Sequence, residues 1–402
     1  MKVIVLGGAG AMGSGIVRDL ISAESAASPL RTVEKVIMAD ASLEAVQKLV
    51  AELLDRRLEA LHLDVRNKDQ TVSLLEKADV CINAVPTFLG YQMDIFHYCL
   101  EARCPYLDLG GMGVYTEIQK AEHDSWVRAG VPAVLGMGSD PGLSNVLAKA
   151  VAERLDTIDR IDLFWASRVA GPERPIFVPP YNILTLLAEY SNPSRQFIDG
   201  TLVEMPAQSG KLEMTLPEPF GRMEFMHSQH SEPITVPFAR GFRDKGIKEF
   251  TWRLHLSEGD DEVLRSLVKC GFGDFNENVT VDGMEVNPGR FLEAIIRRNI
   301  EKNKARIGET SEHQIHLAVG EGERDGRRVK ASMAAIMAPD PYYRPYADPG
   351  TSMCASIGAQ MMGSGKVPPG VWGPEECIDT GEFFAELKKR RFRVIEYLET
   401  VL

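Results

Sequence analysis

The chain has 402 residues, enough for two or three domains, and its 45 basic against 57 acidic side chains give a formal charge of −12. That balance, with no stripe of Lys and Arg, excludes partners read through phosphate charge, so nucleic acid is not expected. No apolar run is long enough to span a bilayer, and Gly7 and Gly8 break the apolar start too early for a signal peptide, so no membrane association and a cytoplasmic location are expected.

In chain order, the residues from Lys2 read as a buried strand that runs into Gly7-Gly8-Ala9-Gly10-Ala11-Met12-Gly13 and then a helix from about Ala11 to Ser22, with Met12, Ile16, Leu20 and Ile21 at helical spacing. This is the pattern of a dinucleotide-binding turn. Gly8 is expected to permit the tight turn and Gly10 to let the backbone approach a pyrophosphate. Gly13 would let the helix pack on the strand, with Ala11 and Met12 in the first helical turn. A second strand, Val33 to Ala39, ends at Asp40, the expected partner of the adenosine ribose hydroxyls. Ala41 and Ser42 follow it, with no adjacent arginine to meet a 2′-phosphate, so NAD is expected over NADP.

Leu58 to Asp64, Val80 to Val85, Tyr106 to Leu109 and Val131 to Leu135 read as further strands, separated by helical segments at Val72 to Lys77, Met93 to Ala102 and Glu117 to Ala129. The alternation predicts an α/β fold: an N-terminal Rossmann doubly wound parallel sheet, with its ligand outside the carboxyl ends of the strands. Asp64 and Val65 fit an adenine-side contact, and Ala84, Val85 and Pro86 fit a loop beneath the nicotinamide riboside. Asp108 and Gly110, at the end of the fifth strand, are further expected cofactor contacts near the nicotinamide half.

Beyond residue 156, strand-like runs at Arg160 to Ser167, Lys211 to Leu216, Ile234 to Phe238 and Phe250 to Leu256 alternate with Pro and Gly turns and with helices at Glu262 to Cys270 and Pro288 to Asn299. Gln314 to Val319 and Arg328 to Ile336 read as a hairpin around Asp325-Gly326. The expected organisation is a Rossmann domain at 1–140, a mixed α+β substrate and dimerisation domain at 141–340, and a C-terminal helical segment at 341–402. The first helix of that segment, Thr351 to Met362, would return to the Rossmann domain. Lys388 to Arg391 read as the solvated end of a helix.

The six cysteines form no CxxC pair and read as small hydrophobes of a reducing compartment. Glu224-x-x-His227-x-x-His230 and His313-x-x-His316 do not offer the converging ligands that a metal needs, and no metal is expected. His227 and His230 remain candidates for the cleft wall.

Several of these stretches together resemble the saccharopine dehydrogenase-like family: Gly8 to Gly13, Asn83-Ala84-Val85-Pro86, Tyr106 to Gly111, Gly138 to Asn145, Phe250-Thr251-Trp252-Arg253-Leu254 and Val268 to Phe272. The Asp108-Leu109-Gly110-Gly111 pattern is most similar to that of lysine 6-dehydrogenases, whereas Trp252 to Ser257 departs from the family's usual Leu-Arg-Tyr sequence. The resemblance implies a homodimer and hydride exchange between a nicotinamide and a carbon bearing an amino nitrogen, with an amino acid or amine as substrate. A carboxynorspermidine-type imine reductase and a non-catalytic NAD-binding regulator are the alternatives.

Oxidising an amine by hydride transfer needs the neutral amine and hence a base. Asp108 is the first candidate, against the reading that it fixes the glycine turn after it by backbone hydrogen bonds. Asp140 reads as a helix N-cap or a substrate contact. Asn145, in the first turn of that helix, could face the cleft or be solvated. For a substrate carboxylate, Arg240 and Arg243 are chosen from a set that also holds Arg168, Arg174, Arg222 and Arg253.

Overall fold

The computed structural model describes residues 1–402 except 111, 112, 171–175, 275, 276, 308–310, 344, 345, 347, 401 and 402. Gly111 and Arg174 therefore lie outside the described residues.

The first sheet has seven parallel strands in the spatial order Gly370–Trp372, Pro132–Val134, Tyr106–Asp108, Val80–Asn83, Lys2–Leu6, Lys35–Asp40 and Leu58–His62. Two-residue periodicity explains its two-sided burial. Val3, Val5, Val36 and Met38 join the core on one face, while Ile4, Leu6, Ile37 and Ala39 join the core on the other. The chain builds outward from Lys2–Leu6 through Lys35–Asp40 to Leu58–His62, then crosses to Val80–Asn83 on the opposite side. That reversal opens a crevice beside the glycine turn, where ligands of doubly wound sheets bind.

The second sheet has nine strands and is mixed. Its main path is Leu212–Leu216, Gly221–His227, Glu249–His255, Thr157–Ala170, Ser311–Arg324, Arg327–Met337 and Arg393–Thr400; Ser194–Ile198 pairs with Glu249–His255 and carries Thr201–Met205 on its own edge. Glu249–His255 runs parallel to Thr157–Ala170, and the other pairings are antiparallel. Asp325 and Gly326 both take positive φ, 51° and 70°, as a two-residue hairpin loop of that twist requires. The buried helix Leu143–Ala152 links the two sheets and packs against the hairpin strands Ser311–Arg324 and Arg327–Met337.

Three stretches differ from the sequence reading. Ile234 to Phe238 is a short helix continued by a 3-10 turn, because Pro233 and Pro237 remove the amides a strand would need and suit first helical turns. The segment after residue 340 contributes strands as well as helices: Gly370–Trp372 extends the first sheet and Arg393–Thr400 edges the second. Arg390 is fully buried, with its Nε 2.9 Å from Asp19 Oδ2 and its Nη1 3.3 Å from Glu386 Oε2. It pins the C-terminal part of the chain to the first helix instead of facing solvent.

The helix Pro349–Gly363 packs on Ala11–Leu20 so closely that a Cβ on Gly15 would lie 2.2 Å from Ser352 Oγ. Among the described residues no helix is long and apolar enough to cross a membrane.

Candidate active site

A cavity of about 980 Å³ runs from the glycine turn across the strand ends of the first sheet to the wall of the second. Its nucleotide end fits the predicted cofactor. Gly7 takes φ +72°, and a Cβ there would sit 2.8 Å from the Ala84 carbonyl oxygen. The tight turn therefore belongs to Gly7 and not to Gly8, whose missing side chain instead makes room for Met38 and the Val5 carbonyl. A Cβ on Gly13 would fall 2.1 Å from Gly7 O, the close helix-to-strand approach expected of that position.

Gly10 caps the helix Ala11–Leu20 with no side-chain hydrogen bond and no acidic residue in its first turn, leaving amides for an anionic ligand. Gly10, Ala11, Met12, Asp40, Ala84, Val85, Pro86 and Gly110 all line the cavity. Asp40 accepts from the amides of Ala9, at 3.2 Å, and Ser42, at 3.0 Å, which aims its carboxylate beside the glycine turn. Asp64 and Val65 do not line the cavity. Asp64 is clamped by Arg66, whose hydrogen bonds hold its carboxyl down at about 2, and Val65 packs against the core.

Asp108 lies beneath the cavity floor, fully engaged by the protein. Its Oδ1 accepts from the amides of Gly136 (2.7 Å) and Gly110 (2.9 Å). Its Oδ2 accepts from Gln92 Nε2 (2.6 Å), the Tyr106 hydroxyl (2.9 Å) and Gln119 Nε2 (3.3 Å). Burial raises its pKa, against the lowering effect of these donors. The geometry is that of a carboxylate tying two neighbouring strand ends to two helices, which is the turn-fixing reading of this residue.

Asp140, one strand further on, does line the cavity. It caps no helix. Gly142 is the N-cap of Leu143–Ala152, and Asn145 Oδ1 accepts the Gly142 amide at 2.8 Å. Asn145 also donates to Glu375 at 2.8 Å, so it is buried behind the wall and neither faces the cleft nor is solvated. Asp140 Oδ2 is 2.7 Å from His316 Nδ1, and Oδ1 receives the Trp252 indole N–H at 3.4 Å. Burial pushes the Asp140 carboxyl up, but the charges of His316 and His230 and these contacts leave it below the usual carboxylate value.

The rest of the inner wall was not assembled by sequence reasoning. The His230 ring stacks on Trp252, with centroids 3.5 Å apart and planes inclined by 15°. Its Nδ1 lies 3.3 Å from Glu232 Oε2 and its Nε2 3.5 Å from Glu189 Oε1. Burial lowers the His230 pKa, but the two carboxylates outweigh it and push it up to about 10. Glu189 also receives the Tyr181 hydroxyl at 2.5 Å, and Glu232 receives the Ser144 hydroxyl at 2.7 Å.

His230 was a candidate for the wall and is on it. His227 is not: it packs under Gly210, and burial together with Arg253 lowers it to about 4. Three residues apart on one strand, His313 and His316 face opposite ways, His313 toward Phe220. Among the described residues no group of His, Cys, Asp and Glu could hold a metal.

The arginine choices do not meet the cavity. Arg240 and Arg243 are exposed on a short helix, Arg243 pairing with Asp244 at 3.1 Å. Arg168 binds the Phe220 carbonyl, Arg222 pairs with Glu213, and Arg253 pairs with Asp162. Among the described residues, the arginine that lines the cavity is Arg297, from the helix Pro288–Asn303, paired with Glu293 at 3.0 Å.

Two family models match the chain end to end: the saccharopine dehydrogenase NADP binding domain over residues 3–134 and the saccharopine dehydrogenase C-terminal domain over residues 138–392. The chain belongs to the saccharopine dehydrogenase family. It is a pyridine-nucleotide-dependent oxidoreductase of the saccharopine dehydrogenase type. A carboxyaminopropylagmatine dehydrogenase of Synechocystis sp. is 25% identical over 407 residues, covering 96% of this chain and 95% of that protein. A carboxynorspermidine synthase of Vibrio alginolyticus is 28% identical over 217 residues, 48% of this chain and 51% of the relative. The fold matches apo saccharopine dehydrogenase (L-Glu forming) of Saccharomyces cerevisiae with a TM-score of 0.69 at 12% identity over the whole of both chains. The named relatives carry the carboxynorspermidine-type alternative and not the lysine 6-dehydrogenase reading.

Proposed function

We propose that this protein joins an amine to an amino-acid aldehyde by reducing the C=N bond between them, or runs the same exchange in reverse. The observation that carries this reading is a single cavity joining the nucleotide end to an ionised carboxylate, Asp140, set in a wall of aromatic rings. The named activities of the relatives support it.

A nicotinamide cofactor bound at the glycine turn supplies or accepts the hydride. Asp140 does the charge work at the other partner. Condensation of amine and aldehyde releases water and leaves a cationic C=N nitrogen, and a carboxylate held ionised beside that nitrogen stabilises it. In the oxidative direction the same carboxylate takes a proton from the ammonium ion, freeing the lone pair that expels hydride. His316 orients Asp140, and the Trp252–His230 stack walls the reacting carbon off from water. Asp108 holds the floor and exchanges no proton. Arg297, at the end of the cavity formed by Pro288–Asn303, is the group for a substrate carboxylate.

NAD is proposed over NADP from the Asp40 carboxylate, which would repel a 2′-phosphate, although the matching family model is named for NADP. A cytoplasmic homodimer belongs to the same proposal, with light scattering as the check on the dimer. The test of the reaction is consumption of reduced nicotinamide when the protein meets aspartate semialdehyde together with a diamine. The expected result is turnover that needs both carbon substrates. Reduction of NAD by lysine alone, without turnover of the paired substrates, would restore the lysine 6-dehydrogenase reading.

A further inference from the structure

Among the described residues, the inner wall of the cavity gathers more acidic side chains than basic ones. Three carboxyl groups, Asp140, Glu189 and Glu232, meet only two imidazoles, those of His316 and His230, at this wall. Among the described residues, the nearby arginines are paired with other acids. Arg297 is matched by Glu293, Arg265 by Asp261 at 2.6 Å, and Arg253 by Asp162 at 2.9 Å. Buried negative charge without a partner is costly.

Two further observations say what kind of group belongs there. Glu232 Oε2 is buried without a hydrogen-bond partner among the described residues, as are His230 Nδ1 and both ring nitrogens of His316, so the cluster holds polar atoms that its own contacts leave unsatisfied. The rings of Trp165, Tyr181 and Trp252 line the same cavity, and aromatic faces attract cations. Glu189 is the carboxylate placed to use both features. It is 3% exposed, lines the cavity, is fixed by the Tyr181 hydroxyl, and keeps Oε1 at a loose 3.5 Å from His230. Asp140 contacts the Trp252 member of the aromatic stack and Glu189 faces the His230 member, so the two acids address different points of one extended ligand.

We propose that Glu189 binds a second cationic group of the amine substrate, remote from the nitrogen that reacts, and so selects diamines and longer polyamines over monoamines. This rests on the amine-joining reading above. It makes Glu189 a specificity residue, with Asp140 serving the reacting nitrogen and Glu189 the far end of the amine.

The test compares wild type with Glu189→Gln, which keeps an acceptor for Tyr181, using the full chain loaded with oxidised nucleotide. Putrescine and n-butylamine are titrated into that binary complex by calorimetry, and their KM values are measured separately with one aldehyde and reduced nucleotide. The expected result is at least about tenfold weaker putrescine binding in the variant, with n-butylamine and nucleotide affinities unchanged. Glu189→Asp, which keeps the charge, should restore part of the preference for putrescine. Equal loss for both amines, or a wild type that binds putrescine no better than n-butylamine, would overturn the proposal. Selective putrescine binding that Glu189→Gln weakens, without reductive turnover, would uphold this subsite while rejecting the reaction assigned above.

Discussion

Asp108 and Asp140 follow neighbouring strands of one parallel sheet, and only their surroundings tell them apart. At Asp108 five protein donors fill the carboxylate's acceptor positions, and its side chain is sealed under the floor. At Asp140 an imidazole and an indole N–H hold the carboxylate, which faces an open volume. A saturated buried acid organises backbone, whereas an acid left facing a cavity can exchange a proton or hold a cation.

The contrast breaks most visibly at the saturated site. Asp108→Ala should destabilise the fold by at least about 3 kcal/mol in denaturant titration, because five buried donors lose their acceptor. A variant with an unchanged midpoint would mean that water or other groups replace the carboxylate, and the structural role would fail.

At the nucleotide end the expected effect is smaller. Asp40→Ser removes the negative charge that would meet a 2′-phosphate and should raise kcat/KM for NADP relative to NAD on the order of tenfold. No change in the ratio would place cofactor selection elsewhere.

His230 sharpens the comparison through pH. Its folded pKa of about 10 lies above the unfolded value of about 6.5. The stabilisation it contributes is therefore fully present below about 6.5 and is lost as pH rises toward 10, since the unfolded chain releases the proton first. Stability should decline across that window, and Glu232→Gln should flatten the decline and move any alkaline limb of kcat/KM to lower pH. Identical pH profiles in the two proteins would show that Glu232 does not hold the His230 charge.

How much of this was legible follows from what each feature depends on. The parallel sheet rests on local alternation and glycine spacing, and the crevice follows from its topology, so Gly10, Asp40 and Val85 could be placed from the sequence. The turn itself was assigned one glycine too late, because spacing does not say which glycine takes the positive φ. Ile234 to Phe238 misled because an apolar run has no period, and its prolines carried the better signal. Asp140 was read as a cap because Asp before Pro-Gly favours that role locally, while its real contacts, His316 and Trp252, arrive from distant strands. Glu189 and Glu232 gave no local signal. A buried carboxylate in a helix looks like any surface acid until the sheet and helices converge around it.

The most direct test is the kcat of Asp140→Asn measured beside Asp108→Asn, each scaled to its folded fraction and its nucleotide occupancy. The assignment predicts a loss of about a hundredfold or more for Asp140→Asn with nucleotide affinity intact, and near-normal turnover from whatever Asp108→Asn folds. Full activity in Asp140→Asn, with loss confined to Asp108→Asn, would contradict it.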